Sequence, residues 1–480
     1  MRHLRTLRWP AAALAALTAA AVTITITGAA AAGAARASRP VASPPPCSLK
    51  PPPGGKTKPT TVTTIGQAYS CILAHYYAAS DLDDRALLAG AFAGLTQQLD
   101  RLGLDQPGAT MPALTGDPHS DWAHFAAVYQ RIIGALPARN RQQAAEATMN
   151  GMIAALNNNH NSWIYPVPPP HGVNAYGLGI NTYPPTPQAQ KVPGQALPPL
   201  YVYNVAPGSP AARAGVRPGD VITAVNGSAP FIDGTYSPGV TNLLNQSYPQ
   251  QQTVRITLRW PVTGATRTIT LTPVGFNVSL PLVSSKLLPG HIGYVRLLAF
   301  VPGDASQVLA AISALEKKAT LRGVILDLRL NGGGTPAGVA DMVGALEHGR
   351  AYGYGCAAIR TCTGLYPNSK TPLLHLPLAV LTDRTCASGC EAFSGAVKDL
   401  HLGTLIGTRT AGLVGAETVG VYTLSDGSVL QLTTESFLGA DHEIINGIGV
   451  APDYYVTVTA KDVATGHDPD IAKALTVLGR

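Results

Sequence analysis

A serine lies where an apolar strand gives way to a helix, in the segment Thr385-Cys386-Ala387-Ser388-Gly389-Cys390-Glu391. A serine at such a junction can present its hydroxyl group as a nucleophile. The next backbone N–H, that of Gly389, points at the same spot and can stabilise an oxyanion. These are the groups that acyl transfer needs. The alternative is a plain helix N-cap, for which serine is a favoured residue.

A glycine-rich loop is the second feature that could take part in a chemical reaction. Asn331-Gly332-Gly333-Gly334 follows directly after the apolar run GVILDLRL (323–330). Successive glycines let the backbone turn tightly and expose N–H groups to a ligand. In open α/β sheets the reactive groups gather beyond the carboxyl ends of the strands, where both loops lie. The alternative is a tight turn between a strand and a helix.

The elements around these loops predict a multidomain α/β protein. Residues 64–172 contain helical stripes, such as Met149, Met152, Ile153 and Leu156 on one face, and predict an N-terminal helical domain. Residues 173–277 contain short alternating runs with turn residues between them, which predicts a β domain. Residues 278–480 alternate strands and helices, which is typical of an α/β core.

The positive charge is concentrated at the start of the chain. The net charge is +7, but residues 1–60 hold eight Lys and Arg and no acidic residue, so residues 61–480 carry 26 basic and 27 acidic residues. Residues 61–480 are nearly neutral and lack the excess of positive charge that attracts phosphate, so we predict no nucleic-acid partner.

The N-terminus has the layout of an export signal. Arginines precede an apolar run at 11–32, and Ala35-Arg36-Ala37 offers a small-x-small cleavage site, so we predict a signal peptide over 1–37. A Pro-rich linker is predicted over 38–63. The protein is therefore expected to be secreted or extracytoplasmic. The alternative is a retained membrane anchor, and membrane association is expected only in that case.

The six cysteines can pair in an exported chain. Nearest neighbours in sequence are Cys47/Cys71, Cys356/Cys362 and Cys386/Cys390, but six cysteines permit fifteen connectivities. Because no Cys/His combination has zinc-finger spacing, we predict no metal, and no other cofactor is indicated.

Four sets of motifs together resemble the tail-specific (C-terminal-processing) serine proteases, over nearly the whole mature chain. They are MNGMIAALNNNHNSWIYP (149–166), the PDZ-type pair YGLGI (176–180) and NVAPGSPAARAGVRPGDVITAVNG (204–227), the core GVILDLRLNGGG…PLAVLTDRTCASGCEAFSGAVKDL…GTLIGTRTAG (323–412), and INGIGVAPDYYV (445–456). The resemblance implies a crotonase-like βαβ core at 278–480, a PDZ-like domain at 173–277 and serine endopeptidase activity. Its nucleophile would be Ser388, with the N–H groups of Gly389 and Gly333 as the oxyanion hole.

The resemblance also implies which base is available. Where one branch of the family has a lysine and, four residues later, a glutamine, this chain has Leu413 and Glu417. The tricorn-like branch uses a histidine instead, and the matching residue here is His160, whose free pKa suits a general base. That branch orients its histidine through a serine and a glutamate; the matching positions here are the neutral Asn159 and Asn446.

The PDZ-like module implies a class of substrate. Such modules bind an extended C-terminal peptide at a sheet edge and hold its carboxylate with backbone N–H groups. The matching loop is Gly177-Leu178-Gly179-Ile180, so polypeptides with free C-termini are the expected partners. The alternative is a regulatory or structural module. For the whole chain, the alternatives are an inactive relative that binds peptides or small apolar ligands, and a non-peptidase ester or amide hydrolase.

Overall fold

The computed structural model describes residues 47, 57–165, 167, 171–185, 197–358, 361–415 and 419–479. The predicted signal peptide, most of the predicted linker and Glu417 lie outside the described residues. Within those ranges, helices that combine the length and the apolar character needed to cross a bilayer are absent.

In the described ranges the helices fall in three groups: four long ones near the start, two single turns in the middle and five in the C-terminal half. They are α1 (Val62–His75), α2 (Asp84–Arg101), α3 (Pro118–Ala135), α4 (Ala138–Ala154), α5 (Pro210–Arg213), α6 (Pro238–Thr241), α7 (Asp304–Glu316), α8 (Pro336–Gly344), α9 (Gly389–Asp399), α10 (Ala460–Thr465) and α11 (Pro469–Val477).

Among the described residues, the strands begin only after the fourth helix. They are β1 (Ser162–Ile164), β2 (Ala175–Gly177), β3 (Ile180–Tyr183), β4 (Tyr201–Val205), β5 (Val221–Val225), β6 (Phe231–Ile232), β7 (Thr235–Tyr236), β8 (Val254–Arg259), β9 (Thr266–Leu271), β10 (Val274–Phe276), β11 (Val283–Leu288), β12 (Ile292–Leu297), β13 (Gly323–Asp327), β14 (Gly353–Ala358), β15 (Thr361–Leu365), β16 (Leu378–Thr382), β17 (Thr404–Gly407), β18 (Val419–Thr423), β19 (Val429–Thr433), β20 (Ser436–Gly439) and β21 (Tyr454–Tyr455).

The N-terminal helices pack around one apolar core, as their stripes predict. Two of them lie almost backbone to backbone: a Cβ on Gly94 of α2 would be 2.2 Å from the Ala147 carbonyl oxygen of α4. Strands from the far end of the chain complete this core, since β1 pairs with β19 and the side chains of Tyr422, Leu430 and Leu432 pack among the helices. The segment 419–433, assigned by sequence to the α/β core, therefore packs with the helical region.

The middle of the chain is an antiparallel sheet with the order β3-β4-β5-β8-β9, and a separate β2–β10 ribbon flanks it. The predicted strand 201–205 coincides with β4. Strand β3 lies at one edge of this sheet. The β domain contacts the α/β core through side chains: the Tyr201 hydroxyl donates to the Val458 carbonyl (2.9 Å), and Tyr183 lies within hydrogen-bond distance of Thr408 (3.1 Å).

The α/β core is built on a six-stranded sheet with the order β11-β12-β13-β16-β17-β21. Strand β11 is antiparallel to β12, and every other neighbouring pair is parallel. All residues of β13 and β16 are buried, because helices cover both faces: Val324 and Leu326 pack in one apolar cluster and Ile325 in another, with Ala474 of α11. Burial on both faces explains the unbroken apolar runs of the sequence.

Each of the six cysteines is paired with its nearest neighbour in sequence. The disulfides are Cys47–Cys71, Cys356–Cys362 and Cys386–Cys390.

Candidate active site

The serine loop and the glycine-rich loop, which carry the candidate catalytic groups, lie side by side because they follow neighbouring parallel strands. The glycine loop follows β13 and the Ser388 loop follows β16. Hydrogen bonds join them: the Leu330 N–H donates to Thr385 Oγ1 (2.5 Å), and the Ala387 N–H donates to the Asn331 carbonyl (3.3 Å). The carboxyl ends of the two strands therefore bring the glycines to the serine.

Ser388 is held in a backbone conformation that side-chain-bearing residues rarely adopt. Its φ is 55° and its ψ is −123°, and it is the N-cap residue of α9. Its N–H donates to the Leu413 carbonyl at 2.8 Å. A residue persists in such a conformation only where its surroundings hold it there, and such residues cluster at active sites.

Two backbone N–H groups face the cavity beside Ser388. The Gly389 N–H is at the first position of α9, where a helical partner is missing, and the Gly334 N atom would lie 3.3 Å from a Cβ placed on Gly389. Among the described residues, neither N–H has a hydrogen-bond acceptor. The two amides together form a pair of donors next to the serine.

Gly333, which the sequence predicts as the second donor, is placed differently. Its N–H donates to Asn331 Oδ1 at 2.8 Å and is thereby occupied. Its backbone instead packs against the serine loop, since a Cβ on Gly333 would be 2.7 Å from the Cβ of Ser388. The next glycine of the run, Gly334, offers the N–H that Gly333 does not.

Glu391 is a buried carboxylate beneath the serine loop that the sequence analysis did not single out. Its oxygens accept hydrogen bonds from the Gly412 N–H (2.7 Å), the Leu413 N–H (2.6 Å), Thr410 Oγ1 (2.5 Å) and the Ser388 N–H (3.3 Å). Burial raises the pKa of Glu391 to about 7, although these four donors oppose the shift. A glutamate three residues after a serine N-cap is a capping-box pattern, which is the signal that would have found it.

His160 lies beside the same loops, immediately after α4 and its short turn. Its Nε2 accepts a hydrogen bond from the Gly415 N–H at 3.0 Å, and its Nδ1 lies 2.6 Å from Asn159 Oδ1. Because an amide N–H can only donate, Nε2 is the unprotonated nitrogen and Nδ1 carries the proton. The ring thus has the tautomer in which Nε2 can accept a proton.

Asn159 and Asn446, the neutral residues at the positions that the resemblance assigns to orienting the histidine, are bonded to each other. Asn159 Oδ1 faces His160, while its Nδ2 donates to Asn446 Oδ1 (3.0 Å) and to the Gly412 carbonyl (3.2 Å). These bonds fix which way the Asn159 amide points.

Leu413 occupies the position where relatives of one branch carry a lysine. Its side chain is buried with Ala387 and Ala411, and its carbonyl accepts the Ser388 N–H. This residue therefore contributes its backbone to the loop, and its apolar side chain offers no base.

A cavity of about 290 Å³ opens beside Ser388. The lining residues are His160, Gly334, Thr335, Pro336, Val339, Tyr352, Ser388, Gly389, Ala392, Val414, Gly415 and Phe437. The nucleophile candidate, the base candidate and both free N–H donors thus face one space.

The predicted carboxylate loop of the β domain lies between β2 and β3. Its carbonyls hold it in place: Leu178 O accepts from the Ala211 N–H (3.0 Å) and Gly179 O from the Ala206 N–H (2.9 Å). The N–H groups of Leu178 and Gly179 have no acceptor within the described part of the chain. A Cβ on Gly179 would be 2.1 Å from the Cβ of Ser209, which explains a glycine at this position. The loop ends at Ile180, the first residue of the edge strand β3.

Two segments match known families. Residues 291–456 match peptidase family S41, and residues 201–235 match the PDZ domain. The chain is 35% identical over 271 residues to the "C-terminal processing peptidase, chloroplastic" of Tetradesmus obliquus, covering 53% of this chain and 56% of that protein. It is 33% identical over 267 residues to "Carboxyl-terminal-processing peptidase 2, chloroplastic" of Arabidopsis thaliana, covering 53% of this chain and 49% of that protein. The chain thus spans about half the length of these relatives.

Solved structures show the same fold. The photosystem II D1 C-terminal processing protease superposes with a TM-score of 0.53 at 24% identity, covering 87% of this chain and 97% of that chain. Mature CPAF superposes with a TM-score of 0.53 at 14% identity, covering 86% and 96%. At these identities the comparison concerns the arrangement of helices and strands, and it agrees with N-terminal helices, a PDZ domain and a protease core in one chain.

Proposed function

We propose that this protein is a serine endopeptidase that cleaves polypeptides near their free C-termini, because residues 291–456 match peptidase family S41 and residues 201–235 match the PDZ domain. The observation that carries the proposal is the convergence of Ser388, His160 and two free backbone N–H groups on one cavity. No metal or other cofactor takes part in the proposed reaction.

The geometry supports acyl transfer in which Ser388 Oγ attacks the carbonyl carbon of the scissile bond. His160 Nε2 takes the hydroxyl proton and, to do so, releases the Gly415 N–H that it accepts in this structure. The carbonyl oxygen becomes an oxyanion, which the N–H groups of Gly389 and Gly334 stabilise. We assign Gly334 this role in place of Gly333, whose N–H is bonded to Asn331.

The intermediate collapses when His160 returns the proton to the leaving amine, which departs as the new N-terminus of the released tail. Water then enters, gives a proton to Nε2 and attacks the acyl-enzyme on Ser388, so that the carboxylate product leaves and the serine is restored. Throughout, the proton stays on Nδ1, which donates a hydrogen bond to Asn159 Oδ1, and this bond keeps Nε2 directed at the reacting atoms.

The PDZ domain supports the choice of substrate. The free N–H groups of Leu178 and Gly179 suit a terminal carboxylate, and β3 is an edge strand to which an extended peptide can add. We propose that Gly177, Leu178, Gly179 and Ile180 hold the substrate tail while the residues ahead of it reach Ser388.

We propose that the enzyme acts outside the cytoplasm. Three disulfides are stable in an oxidising compartment, and the basic, apolar N-terminus has the layout of a cleavable signal peptide over 1–37.

Steady-state kinetics on a peptide with a free C-terminus tests the proposed function. Ser388→Ala and His160→Ala are each expected to lower kcat by about 10²–10⁴-fold, the usual contribution of a general base and its nucleophile. The double variant is expected to be little worse than either single one, because residues that act as one unit are not additive.

The pattern of losses separates the alternatives. Loss on Ser388→Ala with no effect of His160→Ala would place the base elsewhere. A wild-type protein without activity on any peptide or ester would favour an inactive, peptide-binding relative.

A further inference from the structure

A disulfide closes a small ring around the candidate nucleophile. Cys386 and Cys390 are four residues apart, and Ser388 is the middle residue of the segment that their bond closes. Gly389, which carries one of the two oxyanion donors, lies in the same ring. The proposed acyl-transfer chemistry uses neither sulfur and therefore does not account for this bond.

Both ends of the ring are anchored in the protein. The Cys386 N–H donates to the Asp383 carbonyl (3.0 Å), and its carbonyl accepts the Ala411 N–H (2.9 Å), so this residue is fixed to the end of β16 and to the loop that carries Leu413. Cys390 lies in the first turn of α9. Both side chains are fully buried in the core of the catalytic domain.

The ring encloses the one residue of this loop whose backbone needs support. Ser388, with a φ of 55°, has a conformation that costs free energy for any residue with a side chain. An open segment 386–390 can relax toward ordinary φ values, which would turn the hydroxyl away from the cavity and shift the Gly389 N–H. A closed ring of five residues, fixed at both ends, allows far fewer such conformations.

We propose that the Cys386–Cys390 disulfide positions Ser388 and Gly389 for acyl transfer, so that the active site becomes competent only once this bond has formed. The two cysteines are positioning residues and touch no substrate. Disulfides form in oxidising compartments and rarely in the cytosol. Newly made chains would therefore remain inactive until export, which protects the proteins of the producing compartment.

The proposal rests on the proposed function of Ser388, and the rate of covalent labelling by a fluorophosphonate tests it. Cys386→Ala/Cys390→Ala is compared with Cys356→Ala/Cys362→Ala, a control that opens a loop of similar length, with six residues of separation against four. Similar loops give similar entropic stabilisation, so both variants should lose similar thermal stability. We expect labelling and kcat of the first variant to fall about 10- to 100-fold with KM nearly unchanged, as for a misplaced reacting group, and those of the control to change less than about twofold.

Two further preparations guard against a mere packing defect. Cys386→Ser/Cys390→Ser nearly keeps the volume of both side chains, and Ser394 Oγ, 3.6 Å from Cys386 Sγ, can accept a new hydroxyl. Wild type refolded in the presence of a phosphine keeps every side chain. The phosphine reduces the disulfide to two thiols and is itself oxidised to the phosphine oxide with the oxygen of water. Both should label as slowly as the alanine variant, and the reduced wild type should recover after reoxidation, with thiol mapping to confirm which bond reforms.

The outcomes separate this inference from the proposed function. Full-rate labelling of the folded variants, or of wild type whose Cys386 and Cys390 are mapped as thiols, would overturn the positioning role. A wild-type protein that is not labelled at Ser388 would instead overturn the acyl-transfer proposal on which the inference rests. Equal losses in the alanine variant and in its control would show general destabilisation and would also overturn the positioning role.

Discussion

The imidazole of His160, the proposed base, lies directly against the backbone of Gly415. A Cβ on Gly415 would be 2.5 Å from His160 Cγ and 2.6 Å from Cδ2, which is closer than two non-bonded carbon atoms can approach. The φ of Gly415 is not in the left-handed region. Glycine is therefore required here because a side chain would collide with the imidazole, and not because of the backbone conformation. Any side chain at this position must displace the ring.

Gly415→Ala is therefore expected to lower kcat by about 10- to 100-fold, because a displacement of about 1 Å is enough to impair proton transfer. The thermal midpoint should change little, since Gly415 lies at the edge of a cavity. Gly134→Ala is the control, because a Cβ there meets no atom within 4 Å. An unchanged kcat in Gly415→Ala would mean that His160 is not the base or that it acts from another position.

The candidate site residues that the sequence alone singles out are those whose type is unusual for their place. Ser388 and Gly389 stand out at a strand-to-helix junction, and the structure brings them to the cavity beside His160. The choice between Gly333 and Gly334 was beyond the sequence, because three equal glycines carry no pattern that says which N–H is free. The bond from the Gly333 N–H to Asn331 is the observation on which our proposal of Gly334 rests.

At the scale of elements, the edge strand β3 and the loop before it account for the expected preference for a free C-terminus. The donors of this loop are backbone N–H groups, which interact more strongly with a carboxylate than with an amide. The loop lies outside the cavity that contains Ser388, so we expect it to contribute to binding of the substrate tail and not to the chemical step.

A peptide with a free C-terminus and the same peptide with a C-terminal amide should therefore differ mainly in KM. We expect the amide to raise KM about 10-fold, the effect of roughly 1.4 kcal/mol, with kcat within about twofold. A small activated ester, which can enter the cavity without the loop, serves as the control. Equal kinetics of acid and amide would make the PDZ domain a regulatory or structural module.

Elements formed by local patterns were predictable, and long-range assembly was not. The strand 201–205 and the buried strands β13 and β16 coincide with short apolar or alternating runs. The packing of β18 and β19 on the N-terminal helices joins residues about 300 positions apart, and no local period reports such a contact. For the same reason the sequence left fifteen disulfide connectivities open. The fold selects the one in which each cysteine pairs with its nearest neighbour in sequence.

At the scale of the whole molecule, buried carboxyl groups set an unusual dependence of stability on pH. Burial raises the pKa values of Asp304, Glu391 and Asp470 to about 7. In the unfolded chain these groups titrate near their ordinary values of 3.8 to 4.5. Between about pH 4 and pH 7 the native state therefore binds more protons than the unfolded state. The stability that these three groups contribute is fully present below this range and is lost as the pH rises through about 7.

We therefore expect the thermal midpoint to be higher at pH 5 than at pH 8, by at least about 5 °C, since each raised pKa unit corresponds to about 1.4 kcal/mol. Calorimetry across this range measures the difference. Carboxyls with lowered pKa values, such as Asp327, are ionised throughout this window and do not oppose the trend. Asp304→Asn should reduce the difference between the two pH values; a midpoint that rises from pH 5 to pH 8 would contradict the assignment.

The central claim is that Ser388 is an activated nucleophile, and covalent labelling tests it most directly. The purified protein is treated with a fluorophosphonate, digested and mapped by mass spectrometry, with Ser388→Ala as the control. We predict one adduct, on Ser388, in the wild type and none in the variant, because only a serine beside a base and an oxyanion hole reacts readily. An adduct on another serine, or none while a reference serine hydrolase is labelled in the same tube, would contradict this account.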